Sequence, residues 1–285
     1  MQYPDFRSIA ARYKVIFFDS YGVLKNHEGI IPGVKGLLQW LTDQGVAFYV
    51  LTNDASRSPR RLAKYYQDAG SWMISKDKII SSGMLARDYL ERKVNNGTVA
   101  YLGTEQSAHY VEKIGLKTVS IGDLDLNHID SINALVLLDD EGFQWDSDIN
   151  KAINLLRKRN MPVIMANTDT TYPVSRTRVN LAIGAIGDLI ETVVDKNFLR
   201  FGKPDAEMFN FAYSHIQTEH PVAKKDILMV GDTLRTDIIG GNKFGIDTCL
   251  VLTGNTQARY AKRDIERRGI IPDYICETVG TPSQS

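Results

Sequence analysis

Asp19 and Asp232 each follow a nearly unbroken apolar run, V-I-F-F before the first and I-L-M-V-G before the second. An apolar run of that length, bounded by turn residues, suits a strand buried on both faces of a parallel sheet. The acid then stands at the carboxyl end of its strand, the edge at which open α/β sheets gather ligands. A carboxylate held there can serve as a nucleophile or as a metal ligand. If the two strands are neighbours, the carboxylates meet, and two hard oxygen ligands plus water suit Mg²⁺. The alternative is that each Asp caps the helix after it. Taken singly, the two acids leave both readings open. Gly22, three residues beyond Asp19, permits the tight turn that must follow.

The elements that would carry these acids alternate in kind. Residues 33–44 have helical apolar spacing and end at Gly45, a fitting C-terminal cap. Residues 46–51 (V-A-F-Y-V-L) form a second buried-strand candidate that ends in Thr52-Asn53-Asp54. Ser58-Pro59 reads as an N-cap and first helical position, opening a helix to about Asp68. Residues 78–82 suggest a short strand, followed by a helix over 85–93. A fresh alternation begins near Thr98, with strands at 98–102, 133–138 and 162–166 and helices at 105–113, 147–159 and 184–194. Strands at 226–230 and 247–252 follow, with a helix at 236–244 between them. Strands alternating with helices imply right-handed crossovers and parallel pairing. The fold class is therefore α/β, a Rossmann-like parallel-sheet core with room for an inserted α/β cap domain.

Composition bounds the function. The 285 residues carry 43% apolar and 24% charged residues with a formal net charge of +0, so no global field draws in nucleic acid or an anionic membrane. The basic run at 57–64 reads as a solvated helix face. Cys249 and Cys276 are distant in the chain, which argues against a disulfide scaffold and for a reducing compartment. The opening residues lack a secretion-signal design and no apolar run reaches membrane-spanning length, so a cytoplasmic location is expected. His27, His109, His128, His215 and His220 show no metal-ligand spacing. Asp139 and Asp140 read as a structural turn, Gly184 to Gly187 as close helix packing, and the tail 281–285 as frayed.

Four pieces occur in order: F-F-D-S-Y-G-V-L (17–24), L-T-N-D (51–54), G-K-P-D (202–205) and V-G-D-T-L-R-T-D (230–237). Together they resemble the haloacid dehalogenase-like phosphohydrolases. The middle of the chain, with L-D-D-E-G-F-Q-W (138–145) and A-N-T-D-T-T-Y-P (166–173), and the late L-T-G-N (252–255) are similar to subfamily IIA. That subfamily includes sugar-phosphate, nucleotide and pyridoxal phosphate phosphatases. The resemblance implies a catalytic core over 1–84 and 197–285, with a specificity cap over 85–196.

It also implies roles. The residue matching Asp19 attacks phosphorus and becomes an aspartyl-phosphate, splitting one hard step into two. Mg²⁺ sits between Asp19, the backbone carbonyl of Tyr21, Asp232 and phosphate oxygens, with Asp237 supporting the metal site. Thr52 and Asn53 donate hydrogen bonds to phosphoryl oxygens, and Lys203 adds positive charge. Asp169 and Tyr172 match a cap segment that faces the substrate, although a turn-capping Asp and a packed Tyr account for them equally well.

One position departs from the family. A second Asp usually stands two residues after the nucleophile and handles the proton; here it is Tyr21. Losing a positioned acid/base costs on the order of 10²–10⁴ in rate. A phenol with an ordinary pKa of about 10 is a poor base at neutral pH. Another carboxylate could take over, with Asp54 nearest in the motif and cap residues as further candidates. Leaving groups that need no proton could be preferred, or turnover could be slow. The expectation is a Mg²⁺-dependent phosphohydrolase acting on a small phosphomonoester, a sugar phosphate foremost. The alternatives are a phosphotransferase or a slow phosphometabolite-binding protein on the same fold. Its partner would be a small phosphorylated metabolite, and the resemblance also allows a homodimer.

Overall fold

The computed structural model describes residues 3–94, 96–175 and 178–280, so the tail expected to fray lies outside the described residues. The chain opens with α1 (Phe6–Ala10) and enters the centre of the molecule at β1 (Val15–Phe18), whose side chains are all fully buried. A two-residue ladder follows, β2 (Lys25–Asn26) against β3 (Gly29–Ile30). Then come α2 (Val34–Asp43), β4 (Ala47–Thr52), α3 (Pro59–Asp68), β5 (Ile79–Ser81) and α4 (Ser82–Lys93). The sequence logic is local. Helix α2 buries Val34, Leu37, Leu38 and Leu41, one face at helical spacing. Helix α3 starts where the Ser58 side chain accepts the Arg61 N–H, with Pro59 at its first turn.

The insert contains β6 (Thr98–Leu102), α5 (Glu105–Glu112), β7 (Lys117–Ser120), β8 (Ile132–Leu137), α6 (Trp145–Lys158) and β9 (Val163–Met165). It continues with a small antiparallel hairpin, β10 (Thr171–Pro173) and β11 (Val179–Leu181), then α7 (Ile183–Val194) and β12 (Leu199–Arg200). The chain returns through α8 (Ala206–Gln217), β13 (Ile227–Gly231), a π-helical turn at Leu234–Ile238, α9 (Ile239–Phe244), β14 (Asp247–Val251), α10 (Ala258–Arg268) and β15 (Tyr274–Cys276).

Two parallel sheets result. The core sheet has six strands in the order β15-β14-β13-β1-β4-β5, and the insert's sheet has five, β12-β9-β8-β6-β7. The strand order reverses around β1, where β13 lies on one side and β4 on the other. That is the switch point at which such sheets bind ligands. The fold is α/β, a Rossmann-like core interrupted by an inserted α/β cap. The insert's sheet also takes in Leu199–Arg200, which follow residue 196 in the chain.

Several elements differ from the sequence reading, each for a physical reason. Helix α10 buries only Ala261, so it has no apolar stripe to detect. Helix α8 does bury Met208, Phe209, Ala212 and Ile216, a stripe masked by the lysine segment just before it. Strands β7, β10 and β11 have no fully buried residue and lack the apolar run that marks the others. The helix expected over 236–244 is a π turn followed by α9, and α4 begins at Ser82 directly from its strand. The two cysteines, remote in sequence, lie on paired strands β14 and β15 with sulfurs 3.7 Å apart, both as free thiols.

Candidate active site

Four strands bring the chemistry together. Phe18 registers with Val230, and the Asp19 N–H donates to the Val230 carbonyl at 2.9 Å, so β1 and β13 end side by side. Asp19 and Asp232 thus meet at the carboxyl edge, as neighbouring strands require. The π turn swings Asp237 back toward them, with its Oδ2 accepting the Thr233 N–H at 3.0 Å. Ligand oxygens of Asp19, Asp232 and Asp237 all lie within 4.8 Å of one another. Asp232 and Asp237 are fully buried.

Backbone without side chains makes this crowding feasible. A Cβ on Gly22 would stand 2.3 Å from Asp232 Oδ2, and one on Gly254 only 1.9 Å from it. Gly22 also sits at φ +82°, which only glycine adopts readily. The late L-T-G-N segment is therefore a wall of the site. The Asn255 N–H donates to Asp232 Oδ2 at 2.5 Å and the Thr233 hydroxyl to its Oδ1 at 2.9 Å.

Lys203 is the counter-charge. Its buried ammonium donates to Asp19 Oδ1 at 2.6 Å and to Asp237 Oδ1 at 2.7 Å. Burial disfavours that charge, but the carboxylates of Asp19 and Asp237 outweigh it and hold the lysine protonated above its ordinary range. Three clustered carboxylates still exceed one ammonium. Burial first, and then the neighbouring Asp19, push Asp232 well up; burial likewise raises Asp237 to about 7 against the pull of Lys203. Hard oxygens, surplus negative charge and exclusion from water are the conditions a small divalent cation needs, so the residues fit Mg²⁺.

Asn53, unlike its neighbours Thr52 and Asp54, does not line the cavity. The side chain is fully committed: Oδ1 accepts the Lys203 N–H at 2.7 Å, and Nδ2 reaches the Lys203 carbonyl at 3.0 Å and Asp169 Oδ1 at 2.9 Å. It fixes the lysine loop to the end of β4 and ties both to the insert. Thr52 lines the open space and its hydroxyl accepts the Asp54 N–H at 3.1 Å.

A cavity of about 370 Å³ opens over Asp19. The ends of β1 and β4 give it Asp19, Tyr21, Thr52 and Asp54; the ends of β6, β8 and β9 give it Thr104, Asp139, Asp140 and Asp169. The two sheets thus face one another by their carboxyl edges. Asp54 lines the cavity apart from the acidic trio, and its Oδ1 is taken by the N–H and hydroxyl of Ser56 at 2.9 and 2.6 Å. Tyr172 lines it too and donates to Asp140 at 3.0 Å. The Tyr21 hydroxyl leaves the nucleophile and donates to the Pro173 carbonyl of the insert's hairpin at 2.6 Å. Its pKa is raised, first by burial.

Sequence reasoning missed part of this lining. Asp139 and Asp140 were read as a turn, yet they face the cavity immediately after β8, the same acid-after-strand signal that marks Asp19. Burial foremost, with Asp140 and Asp54 nearby, raises Asp139 to about 6. Lys25 also reaches the cavity, its ammonium 4.8 Å from the centre of the Tyr65 ring. Its only sequence signal is its closeness to the nucleophile.

Residues 16–117 match a haloacid dehalogenase-like hydrolase family model, and residues 200–281 match a HAD-hydrolase-like one. A solved structure from Cytophaga hutchinsonii, described as a possible sugar phosphatase of the HAD superfamily, is 51% identical. It superposes with a TM-score of 0.94 over 99% of both chains. Dihydroxyacetone phosphatase of Corynebacterium glutamicum is 30% identical over 92% of this chain and 87% of its own.

The chain belongs to the haloacid dehalogenase-like hydrolases. Within them it is an enzyme of the phosphatase kind. The fold is shared with glycerol phosphate phosphatase from Mycobacterium tuberculosis, solved in complex with magnesium, at 24% identity and a TM-score of 0.76 over 95% of this chain and 77% of that one. No helix among the described residues is long and apolar enough to cross a membrane.

Proposed function

We propose that this hydrolase is a Mg²⁺-dependent phosphatase of small phosphomonoesters, sugar phosphates foremost, working through an aspartyl-phosphate on Asp19. The observation that carries the reading is the Lys203 ammonium bridging Asp19 and Asp237 beside Asp232, beneath the cavity. Asp19, Asp232, Asp237 and the Tyr21 backbone carbonyl would hold the ion. When bound, Mg²⁺ supplies the positive charge that lets an anionic carboxylate approach an anionic phosphate.

The chain's own residues do the rest. Lys203 holds one oxygen of Asp19, leaving the other to attack phosphorus, and stays on hand for charge that accumulates on the phosphoryl group. Thr52 and the backbone after it offer hydrogen-bond donors to that group. Asn53 keeps the lysine in register. Residues 1–84 and 197–285 form the catalytic core, and 85–196 the cap that closes the cavity and excludes water. Its half-buried acids and Tyr172 face the part of the substrate that is not phosphate. Hydroxyl-rich leaving groups suit that wall better than anionic ones.

Tyr21 favours a second reading, a slow enzyme retained for binding phosphometabolites, because its phenol is committed to Pro173. The intact Asp19–Lys203 pair speaks against it, since a pure binder needs no nucleophile. Phosphate release from a panel of sugar, nucleotide and pyridoxal phosphates, with and without Mg²⁺, separates the two. The expected result is metal-dependent release by the wild type and none by Asp19→Asn. Release from neither protein on any substrate would leave only the binding reading.

A further inference from the structure

Six carboxylates line the cavity, and they are not equivalent. Asp19 is bound to Lys203, and Asp54 is bound to Ser56. Asp139 and Asp140 are tied to Thr104 and Tyr172, while Glu141 is exposed at the mouth. Asp169 differs from all of these. One of its oxygens is pinned by Asn53 Nδ2, whose other contacts seat the Lys203 backbone. Asp169 is therefore fastened to the same hydrogen-bond network that sets Lys203 on Asp19.

The surrounding charges make the same distinction. The groups that act on Asp169 are Lys203, Asp19 and Asp54; those that act on Asp139 are Asp140, Asp54 and Glu141. Asp169 stands with the nucleophile, and Asp139 stands with the outer wall. Desolvation in the enclosed cavity, opposed by Lys203 and reinforced by Asp19, raises Asp169 to about 6. Both of its forms are then populated near neutral pH, the condition for an efficient acid/base. The Tyr21 phenol cannot compete, since its O–H is already donated to Pro173.

We propose that Asp169, carried by the insert, is the proton-transfer residue of this hydrolase, in the role that position 21 cannot fill. The inference rests on the phosphatase reading above. In the first step an Asp19 oxygen bonds to phosphorus as the bond from phosphorus to the leaving oxygen breaks. The leaving oxygen keeps that electron pair and takes the proton of the Asp169 carboxyl. In the second step the Asp169 carboxylate takes a proton from water, whose oxygen bonds to phosphorus. The bond from phosphorus to Asp19 breaks, the Asp19 carboxylate is restored, and inorganic phosphate and a protonated Asp169 remain. The sum is ester plus water to alcohol plus phosphate.

Asp169→Asn is the natural test, because an amide oxygen can still accept from Asn53. The full chain with Mg²⁺ is assayed on glycerol 2-phosphate, whose alkoxide needs a proton, and on p-nitrophenyl phosphate, whose leaving group does not. The variant should lose on the order of 10²–10³ in kcat on the alkyl ester. On the aryl ester it should give a burst of nitrophenolate stoichiometric with enzyme, followed by slow phosphate release, as the phosphoenzyme waits for an activated water. Asp169→Glu should restore part of the alkyl rate with a displaced pH limb. Equal losses on both esters without a burst, or no pH displacement in Asp169→Glu, would mark Asp169 as structural and overturn the proposal. Failure of the wild type itself to exceed Asp19→Asn on either ester would instead bring down the phosphatase reading, and the Asp169 role with it.

Discussion

The two walls of the cavity are built on opposite plans. On the core side Asp232, Asp237 and Lys203 are fully buried, Asp19 is partly so, and each has a named partner: Lys203 with Asp19 and Asp237, Asp232 with Asn255 and Thr233. On the insert side Asp139 and Asp140, on the loop after β8, and Tyr172, on the small hairpin, are half-buried and share few bonds. Phosphoryl transfer asks for preorganised charge, so its wall tolerates no looseness. Recognition of the remainder of a substrate asks for adaptable polar groups in a space that can still admit water. Side chains from both walls stitch them together: Asn53 to Asp169, Tyr21 to the Pro173 carbonyl, Thr168 to the Lys203 carbonyl and Tyr110 to the Arg57 carbonyl.

Breaking the rigid wall should have the largest effect. Lys203→Met leaves buried carboxylates without their cation, and removing one partner of a buried pair costs about 3–5 kcal/mol. We expect a correspondingly lower chemical-denaturation midpoint and a fall in kcat on the order of 10³. A variant that kept wild-type stability would show that the lysine is not the counter-charge of this wall.

The softer wall should reveal itself through pH. Burial raises Asp139 and Asp169 to about 6, and raises Asp237 on the core side to about 7. A raised folded-state pKa means that the folded chain binds the proton more tightly than the unfolded one. Its stability contribution is complete near the ordinary carboxylate range and is lost as pH rises through 6 and 7. Metal-free protein should therefore melt a few degrees higher at pH 5.5 than at pH 7.5, and Asp139→Asn should flatten that slope. Mg²⁺ added at pH 7.5 should recover stability by compensating the core acids. A melting temperature that climbs with pH in metal-free protein would contradict this account.

The smallest expected effect lies in the stitch. Tyr21→Phe removes one hydrogen bond to the insert's hairpin, a net contribution of about 0.5–1.5 kcal/mol. KM should rise by up to about tenfold, while kcat stays within roughly twofold. A drop in kcat with KM unchanged would mean instead that the phenol takes part in chemistry.

Much of the core side was legible because its signals are local. An apolar run that ends in an acid announces a buried strand and the edge where it stops, and this held for β1 and β13. The same signal stands before Asp139, in the 138–145 segment that carries the resemblance to subfamily IIA, but a turn accounts for two adjacent acids shortly before a glycine and so hides their place in the cavity lining. Helix α10 leaves little trace because it buries only Ala261, and strand β15 because it is three residues long with Cys276 alone fully buried.

The sequence alone determined the α/β class, the strand-end placement of Asp19 and Asp232, and the presence of tyrosine where an acid is usual. Each follows from residues close in the chain, through hydrophobic run length and turn chemistry. Only the tertiary structure decided that Asn53 spends its amide on the lysine loop, that Tyr21 reaches the insert, and that Asp169 joins the nucleophile's network. Those contacts join residues more than a hundred positions apart. Nothing in local propensity constrains such pairings; they exist because two sheets, each folded for its own core, meet edge to edge.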